Sequence, residues 1–254
     1  LRLSDIDENR LHIVGEFCER VLLENGMTPR ITRTKDLSLA LDGADFVVAQ
    51  IRAGKLEARI RDEKIPLGYD LIGQETTGIG GFANALRTIP QMEQIARAIE
   101  RYAPAAWLVN FSNPSGIVTE YLLNHTPVKA VGLCNLPIGA QERIAKLLQL
   151  PMEQVRLETA SLNHCGAITA VHVGEKNVLP GLLLPETLEQ AAALDGWVQN
   201  YVPIIELLAA IPNDYLQYFF YGSRKLAEQK TAAQTRGEAC VEIETRLLSY
   251  YADE

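Results

Sequence analysis

Residues 105–135, AAWLVNFSNPSGIVTEYLLNHTPVKAVGLCN, contain the pattern from which the fold class is predicted. Residues 105–114 are predicted to form a strand that ends in a polar turn. Pro114 then stands in the first turn of a predicted helix, where its missing N–H removes no intrahelical hydrogen bond. A second apolar run at 129–133 predicts another strand. A strand, a helix and a strand in this order are typical of a parallel strand pair with a helical crossover.

The same alternation extends along the chain up to about residue 165. Further strands are predicted at 1–5, 30–34, 154–160 and within 39–50, where a DGAD turn leads into the strand. Further helices are predicted at 8–26, 89–104 and 137–149. This order predicts an α/β fold with a doubly wound, mostly parallel sheet that carries helices on both faces.

Two domains are predicted. Residues 1–165 form the α/β domain, and residues 166–254 form a second α+β domain that is mainly helical from residue 183. The chain opens inside a predicted strand and stops inside a predicted helix. We therefore expect further protein before Leu1 and after Glu254.

Composition limits the classes of function. The chain has 254 residues, 47% of them hydrophobic, and a net charge of −8 without a basic block. A nucleic-acid groove and an anionic membrane surface are therefore disfavoured as partners. No apolar run reaches the roughly 20 residues that span a bilayer. The four cysteines show no CxxC spacing, which favours a reducing cytoplasm over a disulfide framework.

Polar clusters follow successive predicted strands. In parallel α/β sheets the ligand crevice lies beyond the carboxyl ends of the strands. The clusters are Asp5 with Asp7, then QIRAG (50–54), NFSNP (110–114), LCN (133–135) and LNH (162–164). Asp5 is in a position to accept hydrogen bonds from the ribose of a dinucleotide, and its alternative role is a helix N-cap.

The glycine-rich run GQETTGIGGFANALRT (73–88) contains one acid, Glu75. Its spacing matches neither a dinucleotide loop nor a P-loop, so it is predicted to be a flexible loop. A lid over the substrate is the functional alternative, and Glu75 joins Asp5 as a candidate cofactor-binding residue.

Cys134 and His164 are candidate metal ligands. A thiolate and an imidazole suit a divalent transition metal and leave positions for substrate oxygens. The alternative for Cys134 is an ordinary buried thiol.

The aromatic stretch IPNDYLQYFFYGSRK (211–225) fits a buried helix. Tyr215 differs from the other tyrosines of this stretch because it directly follows the polar Pro-Asn-Asp start. It could act as a base beside a cation. Spacing alone does not choose among Tyr215, Tyr218 and Tyr221.

Several motifs together resemble glycoside hydrolase family 4, the NAD- and metal-dependent phospho-glycosidases. They are the run from Gly43 to Pro90, WLVNFSNPSGIVTE, VGLCNLPIG, LNH, and NDYLQYF followed by TRGEA. The resemblance implies a Rossmann-like fold related to lactate and malate dehydrogenases. It implies that residues 1–165 form the dinucleotide-binding domain and that residues 166–254 form a domain for substrate binding and oligomerisation. It also implies NAD and Mn²⁺ (or another divalent metal) as cofactors, a homo-oligomer (dimer or tetramer), and a first strand with a dinucleotide loop upstream of Leu1.

The resemblance assigns roles residue by residue. Cys134 and His164 match the metal ligands, and Tyr215 matches the base. The positions that match sugar and 6-phosphate binding are Arg59, Asn113 and Arg236, and Asn135 and Asn163 fall beside the metal ligands.

The implied reaction does not use the paired carboxylates of most glycosidases. NAD⁺ takes a hydride from C3 of the sugar, and the tyrosine removes the acidified C2 proton. The aglycone then leaves C1, water adds, and the hydride returns. An aspartate in place of Asn135 is associated with α-linked substrates, so asparagine implies a 6-phospho-β-glucosidase.

Other functions stay open from the sequence. They are a family 4 enzyme for α-linked or uronic-acid substrates, a 2-hydroxy-acid dehydrogenase, and a pseudoenzyme that binds sugar phosphates. The pair LCN and LNH disfavours the dehydrogenase, which would need an Arg-Asp-His relay and no metal.

Overall fold

The computed structural model describes residues 1–28, 30–194 and 201–253, with no side chain described for residue 194. In chain order the strands are β1 (Arg2–Ser4), β2 (Thr32–Thr34), β3 (Phe46–Ala49), β4 (Trp107–Asn110), β5 (Lys129–Gly132), β6 (Val155–Leu162), β7 (Cys165–Val173), β8 (Lys176–Asn177) and β9 (Ile211–Pro212). The helices are α1 (Glu8–Glu24), α2 (Leu37–Leu41), α3 (Lys55–Leu67), α4 (Gly78–Tyr102), α5 (Ser115–His125), α6 (Leu136–Leu148), α7 (Leu179–Leu182), α8 (Pro185–Leu194), α9 (Val202–Leu208), α10 (Gln217–Phe220), α11 (Gly222–Thr231) and α12 (Arg236–Ala252).

The chain forms two compact units. The first comprises Leu1–Leu133 and Gln229–Glu254, and the second comprises Cys134–Glu228. The sequence predicted one domain boundary at residue 165, whereas these units divide after Leu133 and again after Glu228. β6 therefore lies in the second unit and α12 lies in the first. The dinucleotide and substrate roles assigned to the two predicted domains stay predictions.

The first unit contains the parallel strands. β1 pairs with β2, and β3, β4 and β5 pair in that order, all in parallel. The core beneath β3–β5 is formed mainly by α4 and α5, with Met92, Ile99, Leu108 and Leu122 at most 1% exposed. The parallel α/β architecture predicted from 105–135 is confirmed, because β4, α5 and β5 form the strand–helix–strand unit.

Side-chain caps fix where several helices of the first unit begin. Asp7 accepts a hydrogen bond from the backbone N–H of Arg10 at the start of α1. Thr235 and Glu238 form a reciprocal capping box at the start of α12. These caps satisfy backbone donors that an isolated helix end leaves unpaired.

The glycine-rich run is a helix over most of its length, so the prediction of a flexible loop at 73–88 is wrong from Gly78 onward. α4 spans 25 residues and continues through Pro90. Gly80 and Gly81 lie against the preceding loop: a Cβ on Gly80 would collide with the carbonyl oxygen of Gln74, and one on Gly81 would lie 2.5 Å from the carbonyl carbon of Thr76. Glycine is poor in helices in isolation, but here it permits a close backbone approach.

The second unit is built on an antiparallel hairpin. β6 pairs with β7 from Val155↔Val173 to Leu162↔Cys165, and β8 and β9 add to β7. α6 packs on this sheet through Ile144 and Ala145. The antiparallel pairing of β6 differs from the parallel alternation expected for it, because its partner follows after a two-residue turn and a parallel partner would need a long crossover.

None of the helices in the described part of the chain combines the length and the apolar character needed to cross a bilayer.

Candidate active site

Cys134 and His164 lie side by side in the second unit. Cys134 lies between β5 and α6, one residue before the N-cap Asn135, and His164 is the second residue of the turn between β6 and β7. The Cys134 Sγ and His164 Nε2 atoms are 3.5 Å apart. His164 adopts a left-handed backbone conformation with φ 62°. A positive φ is uncommon for a residue other than glycine and points to a residue held in place by its surroundings.

The separation of these two side chains fits two ligands of one metal ion. Ligand distances of about 2.3 Å for a thiolate and about 2.1 Å for an imidazole put the donor atoms roughly 3.1–3.6 Å apart at angles of about 90–110°. Among the described residues, no group of three or more His, Cys, Asp and Glu side chains comes together in this way. The pair would therefore leave several coordination positions for oxygens of a ligand.

Tyr215 packs on His164 of this pair. Its ring stacks on the His164 ring with a centroid distance of 3.8 Å and an interplanar angle of 9°. Asn213 holds this segment, because its backbone N–H donates to the carbonyl oxygen of Gly166 at 2.8 Å and its side-chain oxygen accepts from the Tyr215 N–H at 2.9 Å. The pairing of β9 with β7 therefore carries Tyr215 to the hairpin turn that bears His164.

The other tyrosines of this stretch make different ring contacts. The Tyr218 ring is 5.9 Å from the Tyr215 ring, and Tyr221 packs edge-on against the buried Tyr201. Among the tyrosines of 211–225, the stacking on His164 distinguishes Tyr215.

Asn135 and Asn163 are the sequence neighbours of the two metal-ligand candidates. Asn135 is exposed and occupies the N-cap position of α6, but its side chain makes no capping hydrogen bond. Asn163 is exposed in the β6–β7 turn immediately before His164.

Arg59 lies in a network of charges in the first unit. Its Nε donates to Glu63 Oε1 at 2.8 Å, and its Nη1 lies 2.9 Å from Glu75 Oε2. Glu75 also pairs with Arg52. Burial alone would lower the pKa of Arg59, but the charge of Glu75 and the hydrogen bond to Glu63 outweigh it and raise the pKa above its usual value. Arg59 is therefore a fixed cation.

Arg236 is brought to this network by its neighbour in sequence. The N–H of Gly237 donates to Glu63 Oε2 at 2.6 Å, while Arg236, the first residue of α12, is exposed. Arg59 and the turn that carries Arg236 thus meet at one carboxylate.

Asn113 and Asp5 lie at strand ends, as predicted. Asn113 follows β4 and precedes a cis peptide bond to Pro114, and its carbonyl oxygen accepts from the Asn84 side chain at 3.3 Å. Asp5 follows β1 and accepts a hydrogen bond from the Asp7 N–H at 2.9 Å. The N-cap of α1 is Asp7, so the alternative role considered for Asp5 belongs to its neighbour.

Sequence reasoning missed Glu63, Asn213 and Arg52. Glu63 lies four residues after Arg59, a spacing that places both side chains on one face of a helix and could have signalled the pair. Asn213 has a weaker signal, since asparagine before a short helical turn commonly caps it.

Comparisons with known proteins identify the family that the chain resembles. The profile of a family described as “Family 4 glycosyl hydrolase” matches residues 1–150. A curated relative from Bacillus subtilis (strain 168), “Probable 6-phospho-beta-glucosidase”, is 39% identical over 266 aligned positions, covering 100% of this chain and 59% of the relative.

Two solved structures are similar over the whole chain. The 6-phospho-β-glucosidase from Thermotoga maritima, solved with NAD and glucose-6-phosphate, has a TM-score of 0.88 at 32% identity and covers 100% of this chain and 59% of that one. A 6-phospho-α-glucosidase from gut microorganisms, in complex with NAD and Mn²⁺, has a TM-score of 0.87 at 29% identity, covering 99% of this chain and 60% of that one. The chain thus spans about 60% of the length of these proteins.

Proposed function

The chain belongs to glycosyl hydrolase family 4 and has its Rossmann-like fold, and from this premise we propose that the whole protein hydrolyses 6-phospho-β-glucosides with NAD and a divalent metal such as Mn²⁺. The observation that carries the proposal is the arrangement of Cys134, His164 and Tyr215. A soft metal-ligand pair with a phenol stacked on it is an arrangement that a 2-hydroxy-acid dehydrogenase does not need.

Cys134 and His164 would hold the metal. A thiolate and an imidazole provide two ligands of the softness that transition metals accept, and their 3.5 Å separation fits binding to one ion. When bound, NAD⁺ supplies a hydride acceptor for the sugar, and the metal supplies an electrophile for its oxygens. Asn135 and Asn163, exposed beside the pair, would donate hydrogen bonds to sugar hydroxyls.

Tyr215 would remove the C2 proton. Its ring lies face to face with His164, so a positive charge held by Cys134 and His164 would favour the phenolate form. The hydrogen bonds made by Asn213 fix the backbone at Tyr215, and a general base has to be held within hydrogen-bonding reach of its proton.

Arg59 and Arg236 would bind the 6-phosphate, and Asn113 would bind the sugar. Among the bonds of the described residues, Glu63 uses the Nε–H of Arg59 and Glu75 uses one N–H of Nη1. The second N–H of Nη1 and both N–H groups of Nη2 can then donate to a phosphate. Arg236 is exposed at the start of α12 and adds a second guanidinium. Guanidinium groups suit phosphate because they offer several donors in one plane.

The preference for β-linked substrates rests on Asn135. An amide cannot protonate a leaving group as a carboxylic acid does. A good leaving group such as a phenolate would therefore be favoured. Similarity to an α-glucosidase structure makes α-linked substrates the second candidate.

The remaining proposals concern the cofactor and the state of the protein. Asp5, at the end of β1, would accept hydrogen bonds from the NAD ribose, and Glu75 is the second proposed cofactor residue. We place the protein in the cytoplasm as a homo-oligomer, dimer or tetramer. Light scattering and cell fractionation measure these two properties.

The test is hydrolysis of 4-nitrophenyl 6-phospho-β-glucoside by the full-length protein. Turnover should require NAD⁺ and Mn²⁺ together and should be much weaker without the 6-phosphate. Turnover at full rate without NAD⁺ would refute the proposed chemistry. Stabilisation by both cofactors without turnover of any 6-phosphoglycoside would favour a binding protein instead.

A further inference from the structure

Glu63 is a buried carboxylate whose two oxygens are used by two different parts of the first unit. Its side chain is 6% exposed, on α3. Oε1 accepts from Arg59 Nε at 2.8 Å, and Oε2 accepts from the backbone N–H of Gly237 at 2.6 Å. The second bond joins residues that are 174 positions apart in the sequence.

These bonds fix the direction of the Arg59 guanidinium. Glu63 holds it at Nε and Glu75 holds it at Nη1, at 2.9 Å. A planar guanidinium held at two nitrogens has little freedom to rotate, and a buried carboxylate has few water molecules to replace lost partners. The orientation of Arg59 is therefore set before any ligand arrives.

The same carboxylate fixes the turn that carries Arg236. Gly237 is buried, and a Cβ at this position would lie 3.0 Å from Glu63 Oε2 and 3.0 Å from Ile60 Cγ1. The absence of a side chain thus lets the 236–237 backbone approach Glu63 closely enough to donate its N–H.

We propose that Glu63 is the positioning residue of the phosphate site: it sets the distance between Arg59 and the Arg236 turn to suit a sugar 6-phosphate. This inference rests on the proposed function of Arg59 and Arg236. It goes beyond that function because Glu63 need not touch the substrate, and because Glu63 would set specificity for phosphorylated over plain glycosides.

Glutamine cannot replace Glu63 here. Both partners of Glu63 are N–H donors, and the amide of Gln offers one acceptor oxygen and one donor NH₂. One of the two bonds is therefore lost whichever way the amide is turned. The Glu63→Gln variant removes the positioning bond with a side chain of almost unchanged size.

The experiment measures kcat and KM of the full-length protein, loaded with NAD⁺ and Mn²⁺, for 4-nitrophenyl 6-phospho-β-glucoside, and Ki for inorganic phosphate. For Glu63→Gln we expect KM and Ki to rise about tenfold with kcat within about twofold, because a small displacement of a binding group has effects of this size or larger. Glu57→Gln, an exposed carboxylate on the same helix, is the matched control and should leave KM and Ki unchanged.

Gly237→Ala tests the same geometry without a change of charge. The added Cβ should push the 236–237 backbone away from Glu63 and raise KM in the same way. If Glu63→Gln does not fold, Gly237→Ala tests the positioning role of Glu63 in its place. The inference about Glu63 would be overturned by an unchanged KM in a folded Glu63→Gln, or by an equal loss of kcat on phosphorylated and plain glucosides. Either result would leave the proposed function standing. A wild-type protein without preference for the phosphorylated substrate would overturn the proposed function as well.

Discussion

Replacing Cys134 by Ser should remove most of the divalent-metal affinity. The substitution keeps the shape of the side chain but exchanges a thiolate for a hydroxyl, which is a poor metal ligand at neutral pH. Cys134 and His164 are the two protein ligands proposed for the metal, so the variant loses half of that set.

The size of the effect follows from this small number of ligands. Loss of a residue that merely supports a ligand costs about 10- to 100-fold in metal affinity, so loss of one of two ligands should cost at least about 100-fold, or about 2.7 kcal/mol. With Mn²⁺ at about 100 times the wild-type Kd, the metal should stabilise the wild-type fold by about 2.7 kcal/mol. It should stabilise Cys134→Ser by only about 0.4 kcal/mol.

Mn²⁺ binding measured by electron paramagnetic resonance, together with urea unfolding with and without Mn²⁺, tests both numbers. Cys165→Ser is the matched control, because Cys165 is an exposed thiol directly after His164 and undergoes the same chemical change. An unchanged Mn²⁺ Kd in Cys134→Ser would refute the assignment. Loss of the metal in Cys165→Ser instead would show that the wrong thiol had been chosen.

The remaining predictions concern the base, the anomer and the phosphate. Tyr215→Phe should fold normally and lose most turnover, and wild-type turnover in D₂O should place deuterium at C2 by NMR; a product with only protium at C2 would contradict the elimination. Asn135 predicts turnover of the 4-nitrophenyl 6-phospho-β-glucoside and not of its α-anomer, and a colorimetric assay showing the reverse would contradict that reading alone. Arg59→Ala and Arg236→Ala should each raise KM for the phosphorylated substrate at least about tenfold, since a lost charged hydrogen bond costs about 1.5–3 kcal/mol. The NAD affinity, measured by titration, should stay the same in both variants. Arg61 is an exposed arginine on α3, and Arg61→Ala should change neither KM nor NAD affinity.

Charge balance explains how Arg59 and Arg52 remain charged in the first unit without a bound ligand. Arg52 and Arg59 face Glu63 and Glu75, two cations against two carboxylates. An unpaired buried charge would cost several kcal/mol, so this pairing lets Arg59 be only 14% exposed and still remain charged. In the proposed phosphate site, the Arg59 cation is therefore oriented before the ligand binds.

Local patterns were sufficient wherever a segment's structure depends on its own side chains. The strand–helix–strand unit at 105–135 was predicted correctly because apolar runs, a proline at the start of the helix and polar strand ends are all local signals. The same reasoning failed for 78–88, where the local preference of glycine opposes a helix. Gly80 and Gly81 lie in the helix at a close backbone approach to residues before it, which leaves no room for a Cβ.

For the candidate site, too, one part was readable from the sequence and another part depended on the tertiary structure. The sequence supplied the chemistry, a thiol, an imidazole and a phenol with suitable properties, and by resemblance it supplied their roles, which stay proposals. Their meeting depends on strand pairing: β6 and β7 place His164 in a tight turn, and β9 on β7 places Tyr215 against it. The bond from Gly237 to Glu63 joins parts of the chain that no local pattern relates, and only the packed structure decides it, because long-range contacts depend on how whole elements pack together.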